Sequence, residues 1–124
     1  MSARLRVIVC DDSADLRDVV RATLERAGDL RVVGEAGDVP SALALAGLER
    51  PDAIVLDLTM PGGDAATLIP AVRRRAPEAG LVVYSGQGPG GTRALLDAHP
   101  DVVHVPKAAP SARLVDAVRA AAAS

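Results

Sequence analysis

Five polar side chains, each at the end of a short apolar run, are the residues of this sequence whose types suit chemistry. They are Asp11, Asp12, Asp57, Ser85 and Lys107. Three carboxylates gathered at one point need a hard cation, and oxygen ligands that leave room for water suit Mg²⁺. A carboxylate neutralised in this way can attack phosphorus to give an aspartyl phosphate, a known type of covalent intermediate. An ammonium and a hydroxyl would hold oxygens of the transferred phosphoryl group, so these residue types indicate phosphoryl transfer.

The alternation of two patterns along the chain predicts how these side chains meet. Five runs rich in Val, Ile or Leu, typical of strands covered on both faces, span 5–9, 30–33, 53–56, 81–84 and 102–105. Helical patterns lie between them, first from Ser13 as N-cap to Gly28 as stop, then over about 40–49, 64–76, 91–99 and 111–123. This alternation predicts an α/β fold, a doubly wound five-stranded parallel sheet with five helices. Ligands bind such sheets beyond the carboxyl ends of the strands, where the five polar residues fall.

Composition and charge exclude several classes of function. The chain has 124 residues and a net charge of −2, which favours one domain and gives no electrostatic footprint for nucleic acid or an anionic membrane. A single Tyr and no Phe or Trp provide no platform for stacking bases. Cys10 is the only cysteine, and the sequence has no apolar signal core and no run of membrane-spanning length. The expected compartment is therefore the reducing cytoplasm.

Four motifs in a fixed order resemble the receiver domain of two-component response regulators. They are the acidic pair in VIVCDDS, the aspartate in IVLDLTMPGGD, the hydroxyl in LVVYSG and the lysine in VHVPKAAP. RAGDLRVVGEAGD and PKAAPSARLVDAVRAAAAS further resemble the NarL/LuxR-type subgroup, which usually carries a helix-turn-helix output domain. The resemblance implies a flavodoxin- or CheY-like fold with strand order 2-1-3-4-5. It also implies that residues 1–124 are a receiver domain, with no output domain present.

The resemblance assigns roles to the residues around the aspartates. Asp57 would be the phosphoacceptor and would receive the phosphoryl group from a sensor histidine kinase. Asp12, Asp57 and the backbone carbonyl of Thr59 would bind Mg²⁺, and Asp11 would act through water. These assignments come from matching positions in the family's motifs.

A second set of residues would hold the phosphoryl group and control its lifetime. By the same resemblance, Ser85 and Lys107 would hold the phosphoryl oxygens, and Ser85 would move towards them on phosphorylation. Thr59 and Gln87 occupy positions that tune hydrolysis of the phosphoaspartate.

Two departures from the family pattern concern the switch. His104 stands where many members have a Tyr or Phe that turns inward, so either His104 takes this role or the readout differs. Ala108 replaces a frequent proline that forms a cis peptide bond after the lysine. A cis bond before another residue type costs about 3 kcal/mol, so Lys107 would be held less firmly or under strain.

The expected function is that of a phosphoacceptor in two-component signal transduction. Phosphorylation with Mg²⁺ would alter a surface around the fourth helix, the fifth strand and the fifth helix. It would control an output, expected to be transcription in a longer chain, and the domain would catalyse only its own phosphorylation and dephosphorylation. The expected partners are a sensor histidine kinase and, on phosphorylation, a second copy. No direct contact of this chain with nucleic acid or a membrane is expected.

Two alternatives come from different classes of function. GQGPGG, residues 86–91, fits the G-x-G-x-x-G pattern of dinucleotide sites, but that fingerprint belongs in the first strand-to-helix turn, which here is rich in aspartate. The second alternative is a receiver-like module that binds partners without being phosphorylated. Asp12, Asp57, Ser85 and Lys107 argue against this module, whereas His104 and the glycine-rich stretch leave it open.

Overall fold

The chain alternates strands and helices from end to end. The structure, a computed structural model, describes residues 4–86 and 89–123, with the side chains of 89–92 left out. The elements are β1 (Leu5–Cys10), α1 (Ala14–Arg26), β2 (Leu30–Ala36), α2 (Val39–Glu49), β3 (Ala53–Leu56), α3 (Ala65–Arg75), β4 (Gly80–Ser85), α4 (Pro89–Ala98), β5 (Val103–Pro106) and α5 (Ser111–Ala123). This order confirms the predicted alternation of five strands and five helices.

The five strands form one parallel sheet in the order β2-β1-β3-β4-β5, which confirms the expected topology. Parallel pairing places the carboxyl ends of all strands at one edge. β2 runs three residues beyond its predicted end at 33. The pairing shifts there, because Val7 faces Val32 whereas Ile8 faces Gly34, which leaves Val33 as an extra residue. Gly34 packs under Leu45, whose Cδ1 would lie 3.1 Å from an added Cβ.

Each face of the sheet is covered by its own apolar layer. α2, α3 and α4 pack on one face, around buried residues that include Ile8, Ile54, Leu68, Ile69 and Val83. α1 and α5 pack on the other face, around buried residues that include Val7, Leu24, Val55, Val82 and Val118. Because both faces are buried, the strands have continuous apolar sequences, as the sequence pattern predicted. The layers fix the loops at the carboxyl edge from both sides.

The helix ends follow the capping signals of the sequence. The Ser13 hydroxyl accepts a hydrogen bond from the backbone N–H of Leu16 at 3.2 Å, and Gly28 adopts a φ of 89° just after α1. The predicted helix over 64–76 is one residue shorter at each end, because Asp64 caps it and Ala76 follows its last turn. Among the described residues, no helix has the length and apolar character needed to cross a membrane.

Candidate phosphoacceptor site

Asp11 and Asp57 are fixed to the sheet edge by backbone hydrogen bonds that continue the strand pairing. The N–H of Asp11 donates to the carbonyl of Ala36, and the N–H of Asp57 donates to the carbonyl of Cys10, both at 2.9 Å. Asp11 is 4% exposed and Asp57 2% exposed, whereas Asp12 is exposed. A buried carboxylate is costly unless it is paired and hydrogen-bonded, so both buried aspartates require partners.

One oxygen of Asp57 is held by the loop that follows it. Asp57 Oδ1 accepts hydrogen bonds from the backbone N–H of Thr59 at 3.0 Å and from its hydroxyl at 2.9 Å. An aspartate that bonds to the backbone two residues on forms a local turn. This turn fixes the carboxylate plane and directs Oδ2 towards β5.

Lys107 joins the two buried carboxylates. Its Nζ lies 2.8 Å from Asp11 Oδ2 and 3.3 Å from Asp57 Oδ2. Burial lowers the pKa of Lys107, but the hydrogen bond to Asp11 and the charges of both aspartates outweigh it, so the pKa is raised above its ordinary value. Lys107 is therefore a permanent cation at this edge. The residue types predicted a metal ion as the partner of the acidic charge, and in the structure Lys107 supplies part of the compensation.

The three aspartates form a cluster suited to a hard divalent cation. One carboxylate oxygen from each of Asp11, Asp12 and Asp57 lies within 4.8 Å of the others. With Lys107 counted, the cluster still carries an excess of negative charge, and no ion-pair partner of Asp12 is found within 4–86 and 89–123. Carboxylate oxygens together with water are the ligands that Mg²⁺ prefers. The residues present therefore fit Mg²⁺.

Ser85 is the last residue of β4 and meets β5 beside the lysine. It is 1% exposed and pairs with Pro106 across the sheet. Its carbonyl accepts the backbone N–H of Lys107 at 2.9 Å. The main chain of β4 therefore positions Lys107. The next residue, Gly86, also lies beside the lysine side chain, because a Cβ added there would be 3.8 Å from Lys107 Cδ.

The two departures from the family pattern differ in their structural consequences. All peptide bonds among the described residues are trans, including the one between Lys107 and Ala108. Lys107 is tied by its backbone and by two carboxylates. That Ala108 leaves Lys107 less firmly held stays a prediction. His104 is half-buried and pairs with Val83, and its Nε2 is buried without a hydrogen-bond partner in the part of the chain that the structure describes. Gln87 lies outside the described residues.

Arg17 is a neighbour of the cluster that the sequence motifs did not indicate. Its Nη1 donates to the backbone carbonyl of Asp11 at 2.6 Å. The sequence does contain a signal for this contact, which is the presence of an arginine in the first turn of α1. The helix dipole favours acidic side chains there and disfavours a cation. An arginine four residues after the N-cap Ser13 therefore indicates a specific acceptor near the start of the helix.

A doubly wound sheet with an acidic cluster and a lysine at its carboxyl edge is typical of α/β domains that accept a phosphoryl group. Comparison with known proteins identifies the family: the family model of the response regulator receiver domain matches residues 7–119 of the sequence. This chain belongs to the response regulator receiver family.

Curated relatives are larger proteins. A protein-glutamate methylesterase/protein-glutamine glutaminase of Anaeromyxobacter dehalogenans is 38% identical over 129 aligned residues, which cover 98% of this chain and 36% of the relative. One from Myxococcus xanthus is 42% identical over 79 residues, covering 64% of this chain and 22% of the relative. The chain spans only about a quarter to a third of the length of such relatives.

Solved structures share the fold over nearly the whole chain. The signal receiver domain of the response regulator NarL from Mycobacterium tuberculosis has a TM-score of 0.86 at 30% identity and covers 99% of both chains. RcsB from Salmonella enterica serovar Typhimurium, bound to promoter rprA with the phosphomimetic BeF3-, has a TM-score of 0.84 at 28% identity. That match covers 94% of this chain and 66% of RcsB.

Proposed function

We propose that this chain is a phosphoacceptor domain that takes a phosphoryl group onto Asp57 in the presence of Mg²⁺. The observation that carries the proposal is the convergence of Lys107 Nζ and the cluster of Asp11, Asp12 and Asp57 at one edge of the sheet. Membership in the receiver family supports the same chemistry.

The geometry supports Asp57 as the nucleophile. Its Oδ1 is occupied by two donors of Thr59, while its Oδ2 lies 3.3 Å from the ammonium of Lys107. The carboxylate is therefore held in one orientation before the donor arrives, which reduces the entropic part of the barrier. As the phosphoryl group transfers, Lys107 and the hydroxyl of Ser85 would stabilise its oxygens. The bond formed is between an Asp57 oxygen and phosphorus, and the donor's leaving group departs with the bonding electrons.

The metal would be held by Asp12, Asp57 and the backbone carbonyl of Thr59, with Asp11 acting through water. Bound Mg²⁺ would neutralise the carboxylates and the incoming phosphoryl oxygens. Lys107 now bridges Asp11 and Asp57, so it would shift its contacts as the cation and the phosphoryl group enter.

The proposed partner is a sensor histidine kinase that supplies the phosphoryl group in the cytoplasm. Phosphorylation would change the surface formed by α4, β5 and α5 through Ser85 and His104, and a second copy could bind there. Thr59 and Gln87 would set the lifetime of the phosphoaspartate. The output is proposed to be transcriptional, and residues 1–124 would act as one receiver domain. That this chain makes no direct contact with nucleic acid stays a prediction, which retention of a labelled DNA duplex would contradict.

The test is phosphorylation by a small donor. Incubation with acetyl phosphate and Mg²⁺ is expected to add the mass of one phosphoryl group to the intact protein, and chelation of Mg²⁺ should abolish the gain. Asp57→Asn is the matched variant, because it keeps the size of the side chain and removes the nucleophilic charge. An unchanged wild-type mass would favour the alternative, a partner-binding module that needs no phosphorylation. An equal mass gain in Asp57→Asn would contradict the assignment of Asp57.

A further inference from the structure

The loop between β1 and α1 is anchored by one arginine side chain. The guanidinium of Arg17 donates from Nη1 to the carbonyl of Asp11 at 2.6 Å and from Nε to Glu35 Oε1 at 3.2 Å. The planar fork of arginine can serve two acceptors in fixed directions, which a lysine ammonium does less well. The side chains of Arg17 and Glu35 are 20% and 21% exposed, so the contact is largely shielded from water.

The carbonyl that Arg17 holds belongs to the peptide that joins Asp11 to Asp12. Because a peptide unit is planar, fixing this carbonyl also fixes the direction in which the chain enters Asp12. Asp11 has three further ties, through its N–H to Ala36, its Oδ1 to the N–H of Ser13 and its Oδ2 to Lys107. Asp12 has no comparable side-chain tie among the described residues. Its position therefore depends on the two peptides that flank it, one held by Arg17 and the other by the bond from the Ser13 N–H to Asp11 Oδ1.

Glu35 keeps the guanidinium on the carbonyl and away from the carboxylates of the cluster. Its second oxygen accepts from Arg21 Nη1 at 2.9 Å, so Glu35 is itself fixed from the next turn of α1. Gly37 completes the arrangement, because a Cβ at that position would lie 2.9 Å from Arg17 Nη1. The guanidinium thus occupies space that only a glycine leaves open.

We propose that Arg17 is a positioning residue for the metal site: it sets the direction of Asp12 through the Asp11–Asp12 peptide and so determines the affinity for Mg²⁺. This inference rests on the proposed function, because it requires the acidic cluster to bind the cation. Loss of outer groups that orient metal ligands typically lowers metal affinity by about 10- to 100-fold. Because Arg17 acts through backbone, we expect Arg17→Ala to raise the Kd for Mg²⁺ about tenfold.

The experiment is calorimetric titration of the unphosphorylated 124-residue chain with MgCl2. Arg17→Ala and Gly37→Ala should both weaken binding, the second because its methyl group displaces Nη1. Gly37→Ala is the second variant in case Arg17→Ala does not fold. We expect it to fold, because the atom that its methyl group displaces is the end of a flexible side chain. Arg119→Ala is the matched control: it removes an arginine that likewise binds a carboxylate, Asp29, and a backbone carbonyl, that of Ala27, but that has no contact with Glu35 or the acidic cluster, and it should bind Mg²⁺ within about twofold of the wild type.

A double-mutant cycle with Asp12→Asn distinguishes positioning from a general loss of structure. If Arg17 acts through Asp12, then Arg17→Ala should change the affinity little in the Asp12→Asn background. Equal weakening in both backgrounds would overturn the inference, as would unchanged Mg²⁺ affinity in Arg17→Ala and Gly37→Ala. If the wild type binds Mg²⁺ and is phosphorylated, and Arg17→Ala and Gly37→Ala bind Mg²⁺ as tightly as the wild type, then the inference about Arg17 is wrong while the proposed function stands. Wild-type protein that binds no Mg²⁺ would overturn the proposed function together with it.

Discussion

The ammonium of Lys107 lies closer to Asp11 than to Asp57, at 2.8 Å from Asp11 Oδ2 and 3.3 Å from Asp57 Oδ2. The ammonium of Lys107 therefore lies beside the carboxylates that would bind a divalent cation. The same side chain would compete with Mg²⁺ before phosphorylation and assist the phosphoryl group during it. These opposite roles can be separated by experiment.

We predict that Lys107→Met tightens Mg²⁺ binding and slows phosphorylation. Removing a cation a few ångströms from two metal-binding carboxylates relieves repulsion of Mg²⁺, and solvent screening limits the gain to roughly three- to tenfold. The phosphoryl oxygens lose a positive partner at the same time, so the initial rate with acetyl phosphate should fall at saturating Mg²⁺. Lys107→Arg, which keeps the charge, is the control for affinity. Weaker Mg²⁺ binding in Lys107→Met would contradict this account of the pair.

The hydroxyl of Thr59 is predicted to restrain the nucleophile. It donates to Asp57 Oδ1 at 2.9 Å, and this hydrogen bond engages a lone pair of the carboxylate that would attack phosphorus. Thr59→Val keeps the shape and the backbone donor but removes this hydrogen bond, so the initial rate of phosphorylation should rise by roughly two- to fivefold. Thr59→Ser, which retains the hydroxyl, should behave like the wild type. A rate below the wild-type value in Thr59→Val would show that the hydroxyl positions Asp57 more than it restrains it.

The thiol of Cys10 is predicted to be inert in the native protein. Burial raises its pKa to about 12, with Asp11 adding to this effect and Arg17 opposing it. Thiolates are the reactive form, so iodoacetamide at pH 8 should modify Cys10 only after unfolding in urea. Rapid alkylation of the folded protein would contradict the burial of this side chain.

The same thiol predicts a loss of stability at high pH. Between its ordinary pKa of 9.0 and about 12, the folded state keeps a proton that the unfolded state releases, so the free energy of unfolding falls as pH rises. Urea unfolding at pH 8 and pH 10 should show this decrease in the wild type and a smaller decrease in Cys10→Ala. Lys107 contributes little to the change in stability between pH 8 and pH 10. Its pKa is raised above the ordinary value of 10.5, so its ion pairs with the aspartates are lost only above pH 10.5. Equal decreases in both proteins would contradict the assignment to Cys10.

Two glycines are predicted to respond in opposite ways to an added methyl group. A Cβ at Gly80 would collide with the backbone carbonyl of Ala121 and lie 2.7 Å from the Ala121 Cβ, so α5 would have to move off β4. Gly80→Ala should lower the free energy of unfolding by about 2 kcal/mol or more. Gly47→Ala, in a helix with its nearest atom 3.9 Å away, should raise it by about 0.5–1 kcal/mol. Chemical denaturation measures both, and a stable Gly80→Ala variant would contradict this packing.

Much of the fold could be predicted because its determinants are local or periodic. Apolar runs covered on both faces, Ser13 at a helix start and Gly28 after a helix end are visible in the sequence, and the structure confirms them. The end of β2 was predicted too early. Gly34 is typical of a turn, and only the shifted pairing with β1 and the Leu45 side chain explain a glycine inside that strand.

The candidate site was predictable in its residue types but not in its contacts. The rule that parallel strands present their carboxyl ends together gathers the aspartates and Lys107 without any structure. That Lys107 bridges Asp11 and Asp57 depends on side-chain conformation across three strands, which no local pattern encodes. The link from Arg17 to Glu35 joins residues 18 positions apart on different elements, so spacing alone could not reveal it.

The most direct test of the central claim is chemical identification of the phosphorylated residue. After reaction with acetyl phosphate and Mg²⁺, borohydride reduces an aspartyl phosphate to homoserine, which peptide mass spectrometry locates. We predict homoserine at position 57 in the wild type and at no position in Asp57→Asn. Homoserine at Asp11 or Asp12, or none at all in phosphorylated protein, would contradict the assignment of Asp57 as the phosphoacceptor.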